Sequence, residues 1–167
     1  LNNSTATSTS SGLTVTVDTT APTVSMSASS STLNSGQNST LTFTLSEPST
    51  NFVTGDATAT GGTLASISAT SSTVYTAVFT PTASTQSGTG AISVAIGVFS
   101  DAAGNTNTAS STSSITYDTQ VPTVSNVTSS STNGTFSIGD SVSIQVTFTE
   151  AVTVSGTPRL TLETGST

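Results

Sequence analysis

Carboxylates are the side chains of this sequence that are most able to take part in a reaction or to bind an ion. The chain has eight Asp and Glu residues, a single Lys or Arg, and no His or Cys. It therefore offers no imidazole or amine base, no thiol nucleophile and no thiolate metal site. Grouped carboxylates can instead bind Ca²⁺, which takes ~6–8 oxygen ligands from carboxylates, amides and backbone carbonyls.

A glycosidase is the one enzyme class that carboxylates alone could support. Asp56 and Asp101 could in principle form the pair of carboxylates that such an enzyme needs. A sugar pocket also needs aromatic walls, and the chain has no Trp and only two Tyr. We therefore expect a protein that is not an enzyme.

The charge balance excludes several classes of partner. The net charge is −7, and Arg159 is the only basic residue. Nucleic-acid binding requires Lys or Arg to neutralise phosphates, and an anionic membrane surface repels an acidic chain. No stretch reaches the ~20 apolar residues of a membrane span. We expect no nucleic-acid partner and no membrane insertion in this segment.

Alternation of apolar side chains with Thr and Ser predicts an all-β protein. Ser and Thr make up roughly two-fifths of the 167 residues, against far lower ordinary usage. Short segments place an apolar residue at every second position, as a half-buried strand does. The clearest stripes are Leu41, Phe43 and Leu45; Tyr75, Ala77 and Phe79; Ile92, Val94 and Ile96; and Val142, Ile144, Val146 and Phe148.

An internal repeat defines the predicted domain organisation. VTVDTTAPTVS at 15–25 matches ITYDTQVPTVS at 115–125, so Asp18 corresponds to Asp118 at a spacing of 100 residues. A second match relates Glu47 to Glu150 at a spacing of 103 residues. A unit of about 100 residues has the size of one immunoglobulin-like β-sandwich. The predicted domains are the C-terminal strand of a preceding module at 1–18, a complete module at 19–118, and the N-terminal half of the next at 119–167.

The predicted sandwich brings the acidic residues together at the junctions between modules. The linker with Asp18, the B–C region with Glu47 and Asp56, and the F–G loop with Asp101 and Asn105 all fall at one end. By the same reasoning Asp118 and Glu150 converge on the next junction. Crowded carboxylates without cations nearby repel one another, so we predict that Ca²⁺ binds at each junction. The alternative is that each Asp only caps its own turn.

Several segments resemble the immunoglobulin-like repeats of giant bacterial surface adhesins. They are DTTAPTVS, SEPSTNF with GDATATGGT, YTAVFTP and FSDAAGN. The segment from DTQVPTVS to the C-terminus is similar to repeats of cyanobacterial cell-surface motility proteins. The resemblance implies tandem β-sandwiches, secretion to the cell surface and Ca²⁺ at the junctions. It places Asp18, Glu47, Asp56, Asp101 and Asn105 on the family's acidic positions.

Three functions without catalysis remain open from the sequence. The first is a Ca²⁺-stiffened stalk or spacer in adhesion, whose partners are the neighbouring repeats of the same chain. The second is a subunit of an extracellular filament or surface layer (S-layer), whose partners are neighbouring copies. The third is a carbohydrate-binding module, which the shortage of aromatic residues disfavours. All three predict an extracellular location.

Overall fold

The computed structural model describes residues 8–10 and 12–161. The chain divides into two compact units, residues 1–120 and residues 121–167. The strands of the first unit are β1 (Ser8–Ser10), β2 (Leu13–Val15), β3 (Val24–Ala28), β4 (Thr32–Asn34), β5 (Ser39–Leu45), β6 (Ala57–Thr60), β7 (Gly62–Leu64), β8 (Ser68–Ala69), β9 (Val74–Pro81), β10 (Gly88–Val94) and β11 (Ser113–Asp118). The strands of the second unit are β12 (Val124–Ser129) and β13 (Ile144–Phe148). No helix in the described ranges has the length and apolar character needed to cross a membrane.

The first unit is a β-sandwich, as predicted. One sheet has the strand order β3-β5-β9-β7, with β8 also paired to β9, and the other has the order β4-β11-β10-β6. All of these pairs are antiparallel except β4 with β11, which is parallel. The two short strands β1 and β2 pair with each other in a separate antiparallel hairpin.

The core lies between the two sheets and follows the predicted alternation. Strand β5 buries Leu41, Phe43 and Leu45 while the Thr residues between them face outward. The buried apolar side chains of this core are Val24, Leu33, Leu41, Phe43, Leu45, Phe52, Tyr75, Ala77, Phe79, Ile92, Val94, Phe99, Ile115 and Tyr117. A fully buried Leu or Phe contributes about 1.5–3 kcal/mol relative to an exposed one. This burial is what allows a chain so rich in Ser and Thr to fold.

One predicted core position is wrong. The stripe of Ile92 and Val94 predicts that Ile96 also points inward, but its side chain is 71% exposed. Strand β10 ends at Val94, and a turn follows in which Gly97 has a φ of 76°. Once the strand ends, the period of two that would point Ile96 inward no longer holds.

The second unit repeats the start of the first at the level of individual hydrogen bonds. Thr23 and Ser46 exchange hydrogen bonds in which the Thr23 N–H donates to Ser46 Oγ and the Ser46 N–H donates to the Thr23 carbonyl. Thr123 and Thr149 form the same two bonds. This correspondence supports the sequence register that equates Glu47 with Glu150.

The turn before the second strand of each repeat is also the same. In the first unit, Gln37 closes the turn by donating its N–H to the Asn34 carbonyl and accepting the Asn34 N–H at Oε1. In the second, Asp140 forms the equivalent two bonds with Ser137. Asp140 is therefore a turn residue.

The two strands of the second unit carry an apolar face that the described residues leave uncovered. Strands β12 and β13 pair antiparallel, and a bulge between Val124 and Asn126 puts Val124 opposite Phe148 and Val127 opposite Val146. These four side chains are 37–53% exposed. Strand β5 is the equivalent of β13, and its apolar face is buried because β9, β10 and β11 complete the sandwich. Residues 121–161 form no strands equivalent to those three.

Candidate functional site

Three of the predicted acidic residues meet at one end of the first sandwich. Asp18, Glu47 and Asp101 each offer a carboxylate oxygen, and these oxygens all lie within 4.8 Å of one another. The three residues come from segments far apart in sequence, and all three side chains are at least partly buried. We call Asp18, Glu47 and Asp101 the acidic triad.

Two members of the acidic triad are held by the entry to strand β3 and the exit from β5. Asp18 accepts the Thr20 N–H at Oδ1 over 3.0 Å, which fixes the linker in an Asx turn. Glu47 lies two residues beyond the end of β5, next to the Ser46–Thr23 pair of hydrogen bonds. Because β3 and β5 are antiparallel neighbours, the start of one and the end of the other meet at this edge.

The third member is held by a tight turn in the loop between β10 and β11. Asp101 Oδ1 accepts the Asn105 N–H over 2.8 Å, and its Oδ2 accepts the Asn105 side-chain amide over 2.8 Å. That amide also donates to the Asp18 carbonyl at 3.2 Å. Asn105 therefore joins the loop to the linker that carries Asp18.

Asn107 fixes the same loop from the inside. Its side chain is buried, with Oδ1 accepting the N–H groups of Val98 and Phe99 and the amide donating to the carbonyls of Ala95 and Thr108. Both amide hydrogens and Oδ1 of Asn107 are therefore engaged in hydrogen bonds. In the sequence, Asn107 is marked only by its place two residues after Asn105 in a loop rich in turn formers.

The loop after β5 packs against the loop after β10 through an aromatic cluster. Phe52 makes edge-to-face contacts with Phe43, Tyr75 and Phe99 at ring-centroid distances of 5.5, 5.1 and 5.1 Å. Such pairs contribute about 0.5–1.5 kcal/mol each beyond the area they bury. This packing keeps the loops of Glu47 and Asp101 side by side.

Hydrogen bonds around Ser49 reinforce this contact between the loops. The buried Ser49 hydroxyl donates to the Ser100 carbonyl over 2.7 Å, and the Tyr75 hydroxyl donates to the Ser49 carbonyl over 2.6 Å. Asn51 accepts the Ser100 N–H at 3.0 Å. The two loops that carry Glu47 and Asp101 are thus joined by hydrogen bonds as well as by aromatic packing.

Mutual repulsion is visible in the electrostatics of the acidic triad. Burial raises the pKa of Glu47 above its ordinary value of 4.5, and the charges of Asp101 and Asp18 raise it further. For Asp101, burial also acts to raise the pKa, but hydrogen bonds from Asn105, Gly104 and Ala103 outweigh it and leave the pKa below 3.8. Asp101 is therefore stabilised as the anion, whereas the charged form of Glu47 is disfavoured.

Two other predicted metal ligands, Asn105 and Asp56, are not members of the acidic triad. Asn105 presents its amide hydrogens to Asp18 and Asp101, so it acts here as a donor and not as an oxygen ligand. Asp56 lies outside the triad: its Oδ2 accepts the Val53 N–H at 2.8 Å and closes the short 3₁₀ turn Thr54–Asp56. Its carboxylate therefore serves its own turn, and a role as metal ligand stays a prediction.

The acids of the second predicted site belong to different units. Asp118 ends strand β11 of the first unit, and its Oδ1 accepts the Gln120 N–H at 3.1 Å, as Asp18 does with Thr20. Glu150 follows β13 in the second unit, and its Oε1 is shielded from solvent without a hydrogen-bond partner. A shielded carboxylate oxygen in that state requires an explanation, and a bound cation is one.

The comparisons with known proteins concern the part of the chain that carries the acidic triad. Residues 18–117 match the model of a family described as a bacterial Ig-like domain. The match begins at Asp18 and ends next to Asp118, so it covers most of the first unit. No curated protein and no solved structure gives a significant match.

Proposed function

Since the chain belongs to the bacterial Ig-like domain family, we propose that it is a structural repeat segment of a large extracellular surface protein and serves as a Ca²⁺-stiffened stalk or spacer in adhesion. Domains of this family are typically structural and often belong to surface proteins. The acidic triad at the point where the chain enters the sandwich is the observation that carries the proposal.

The residues present fit a calcium ion. With Ca–O distances of roughly 2.4 Å, two ligand atoms on opposite sides of the ion are about 4.8 Å apart. The triad oxygens, all within 4.8 Å of one another, can therefore share one ion. The only basic side chain of the sequence, Arg159, belongs to the second unit, so no Lys or Arg neutralises these carboxylates within the first.

Asp18, Glu47 and Asp101 would hold the ion, and water would complete its shell. Turning the Asn105 amide about its last bond would offer Oδ1 as a further ligand. The ion would supply positive charge and no reaction. By binding the linker and both loops together, it would limit how far the linker can swing relative to the sandwich.

Calcium binding is tested by calorimetric titration of the full chain. We expect saturable binding, and a concentration of 100 times Kd should add about 2.7 kcal/mol to the free energy of unfolding. The variant with Asp18→Asn, Glu47→Gln and Asp101→Asn should lose both effects. Asp140→Asn, which removes a single charge from an exposed turn outside the triad, should retain them. Absence of binding to the unmodified chain would leave the acids as turn residues.

Stiffening requires its own experiment. Small-angle scattering of the full chain in Ca²⁺ and then in EGTA should show a narrow, rigid set of conformations with the ion and a broader, flexible set after chelation. The triple variant should give the EGTA profile under both conditions. Calcium binding with an unchanged profile would support an ion that stabilises the loops alone, and the stalk mechanism would then be rejected.

A subunit of a filament or surface layer is the second candidate, and a separate observation favours it. The uncovered face of β12 and β13, with Phe148 37% and Val124 53% exposed, could be completed by a neighbouring copy. Sedimentation at rising protein concentration distinguishes the two candidates, because only the assembly subunit self-associates. No comparable observation favours sugar binding, because both Tyr and four of the six Phe side chains are buried in the core.

A further inference from the structure

The loop between β12 and β13 contains the sequence Asn133-Gly134, the one Asn-Gly pair in the chain. Asn-Gly is the dipeptide most prone to spontaneous deamidation, because glycine has no side chain to obstruct attack by its own nitrogen on the preceding carboxamide. The reaction also requires a backbone that is free to bring those two groups together. The structure shows whether this loop meets that requirement.

Both residues are free of the contacts that would prevent the reaction. Asn133 and Gly134 are exposed and lie in a bend outside both strands. Within the described ranges, neither the Asn133 carboxamide nor the Gly134 N–H takes part in a hydrogen bond. A Cβ built on Gly134 would meet no atom within 4 Å. The nucleophilic nitrogen and the carboxamide are therefore unhindered.

Other asparagines of the chain show the opposite situation. Asn107 is buried with its carboxamide held by four hydrogen bonds, and the Asn105 amide is held by Asp101 and Asp18. Asn126 lies in β12, paired with Thr147, and is followed by the β-branched Val127. In each case the next residue or the local hydrogen bonding disfavours cyclisation.

We propose that Asn133 is a site of spontaneous deamidation through a succinimide with Gly134. The Gly134 nitrogen bonds to Asn133 Cγ, the Cγ–Nδ2 bond breaks, and ammonia leaves with the proton from the Gly134 N–H. Water then opens the ring at either carbonyl and gives aspartate or isoaspartate. Both products add one negative charge to a chain whose net charge is −7, and isoaspartate also lengthens the backbone by one methylene.

Chymotryptic peptide mapping of the aged full chain tests this proposal. The peptide between Tyr117 and Phe136 contains both Asn126 and Asn133, so one fragment holds the site and its internal control. We expect the mass gain that replaces NH₂ by OH to accumulate at Asn133 well before Asn126. Part of the product should be a substrate for isoaspartyl methyltransferase.

Gly134→Ala is the matched variant. Its added methyl meets nothing within 4 Å and the residue has no positive φ, so the fold should be kept, as circular dichroism can verify. The variant should lose the product at Asn133 over the same incubation. Equal conversion at Asn133 and Asn126, or conversion unchanged in Gly134→Ala, would overturn the proposal.

Discussion

At the scale of single residues, the loops of the site are held by polar side chains that hydrogen-bond to the backbone and to one another. Asn107, Asn105 and Ser49 hold the two loops of the site through hydrogen bonds that are local in sequence or link one loop to the other. Glu47 is the exception, because burial and two neighbouring carboxylates disfavour its charge. A residue whose ionisation is disfavoured within a well-ordered frame is a common mark of a binding site.

The carboxyl of Glu47 should destabilise the ion-free fold. Its pKa is raised above 4.5, so the folded chain holds the proton more tightly than the unfolded chain, and stability falls as the pH rises through the raised pKa. In EDTA at neutral pH, Glu47→Gln should raise the free energy of unfolding by up to about 1 kcal/mol, the usual range for partly exposed charges. Urea denaturation measures the change.

Two comparisons make that result specific. Below the ordinary pKa of 4.5 the parent and Glu47→Gln should be equally stable, because the parent carboxyl is then protonated in both states. In Ca²⁺ the order should reverse, because the variant loses a ligand. The contribution of Asp101 to the pH dependence of stability has the opposite sign. Because its pKa is lowered, it stabilises the fold above pH 3.8, and this stability is lost as the pH falls below that value. If Glu47→Gln were less stable than the parent in EDTA, the proposed repulsion among the triad carboxylates would be contradicted.

Truncation of Asn107 should be the most damaging polar substitution near the site. Asn107→Ala leaves four backbone groups without their partner, namely the buried Phe99 N–H, the partly buried Val98 N–H and the carbonyls of Ala95 and Thr108. We expect a loss of about 2–4 kcal/mol in the free energy of unfolding. Asn38→Ala, at an exposed position before β5, is the control and should change it by under about 0.5 kcal/mol. Similar losses for the two variants would refute the role given to Asn107.

At the scale of elements, close contact between the sheets depends on glycine as well as on the apolar stripes. Gly90 in β10 and Gly62 in β7 both face the ring of Phe79 in β9, and a Cβ at either position would overlap that ring. Phe79 itself is fully buried. The two sheets therefore approach each other across this ring, because Gly90 of the opposing sheet carries no side chain there. Gly62, in the strand next to β9 in the same sheet, leaves room for the edge of the ring.

Gly90→Ala should destabilise the sandwich by overpacking. The added methyl must displace the Phe79 ring, which is enclosed on all sides, and overpacking of this kind costs about 1–3 kcal/mol. Gly55→Ala, where a Cβ meets nothing within 4 Å, is the matched control. Thermal unfolding followed by circular dichroism should show a lower Tm for Gly90→Ala alone, and an equal shift in both variants would contradict this packing.

At the scale of the whole molecule, the two units differ in how much they bury. The first has fourteen buried apolar residues in one cluster, whereas the described part of the second, residues 121–161, has no fully buried residue. A two-stranded sheet without a covered face is marginally stable in water. Stability should therefore be concentrated in the first unit.

Hydrogen exchange measures that difference. Amides of β5, β9 and β10 should exchange only by global unfolding, which for a domain of ordinary stability requires about 5–15 kcal/mol. Amides of β12 and β13 should exchange by local opening at a cost near zero. Equal protection in the two units would mean that something covers the apolar face, and the same sample should then be examined for self-association by sedimentation.

The fold class, the internal repeat and the end of the sandwich at which Asp18, Glu47 and Asp101 lie can be inferred without coordinates. Alternation along β5 and β9, and the paired occurrence of Asp18 with Asp118, are local or periodic patterns that can be seen without coordinates. The direction of the Ile96 side chain depended on where strand β10 ends. The set of acids that share one site depended on which turns use their own carboxylates. Asp56 and Asp101 have the same side chain in loops at the same end, yet one closes a 3₁₀ turn and the other faces Asp18 and Glu47. Only the tertiary structure could decide this, because the position of a carboxylate in space is set by loop packing between residues far apart in the chain.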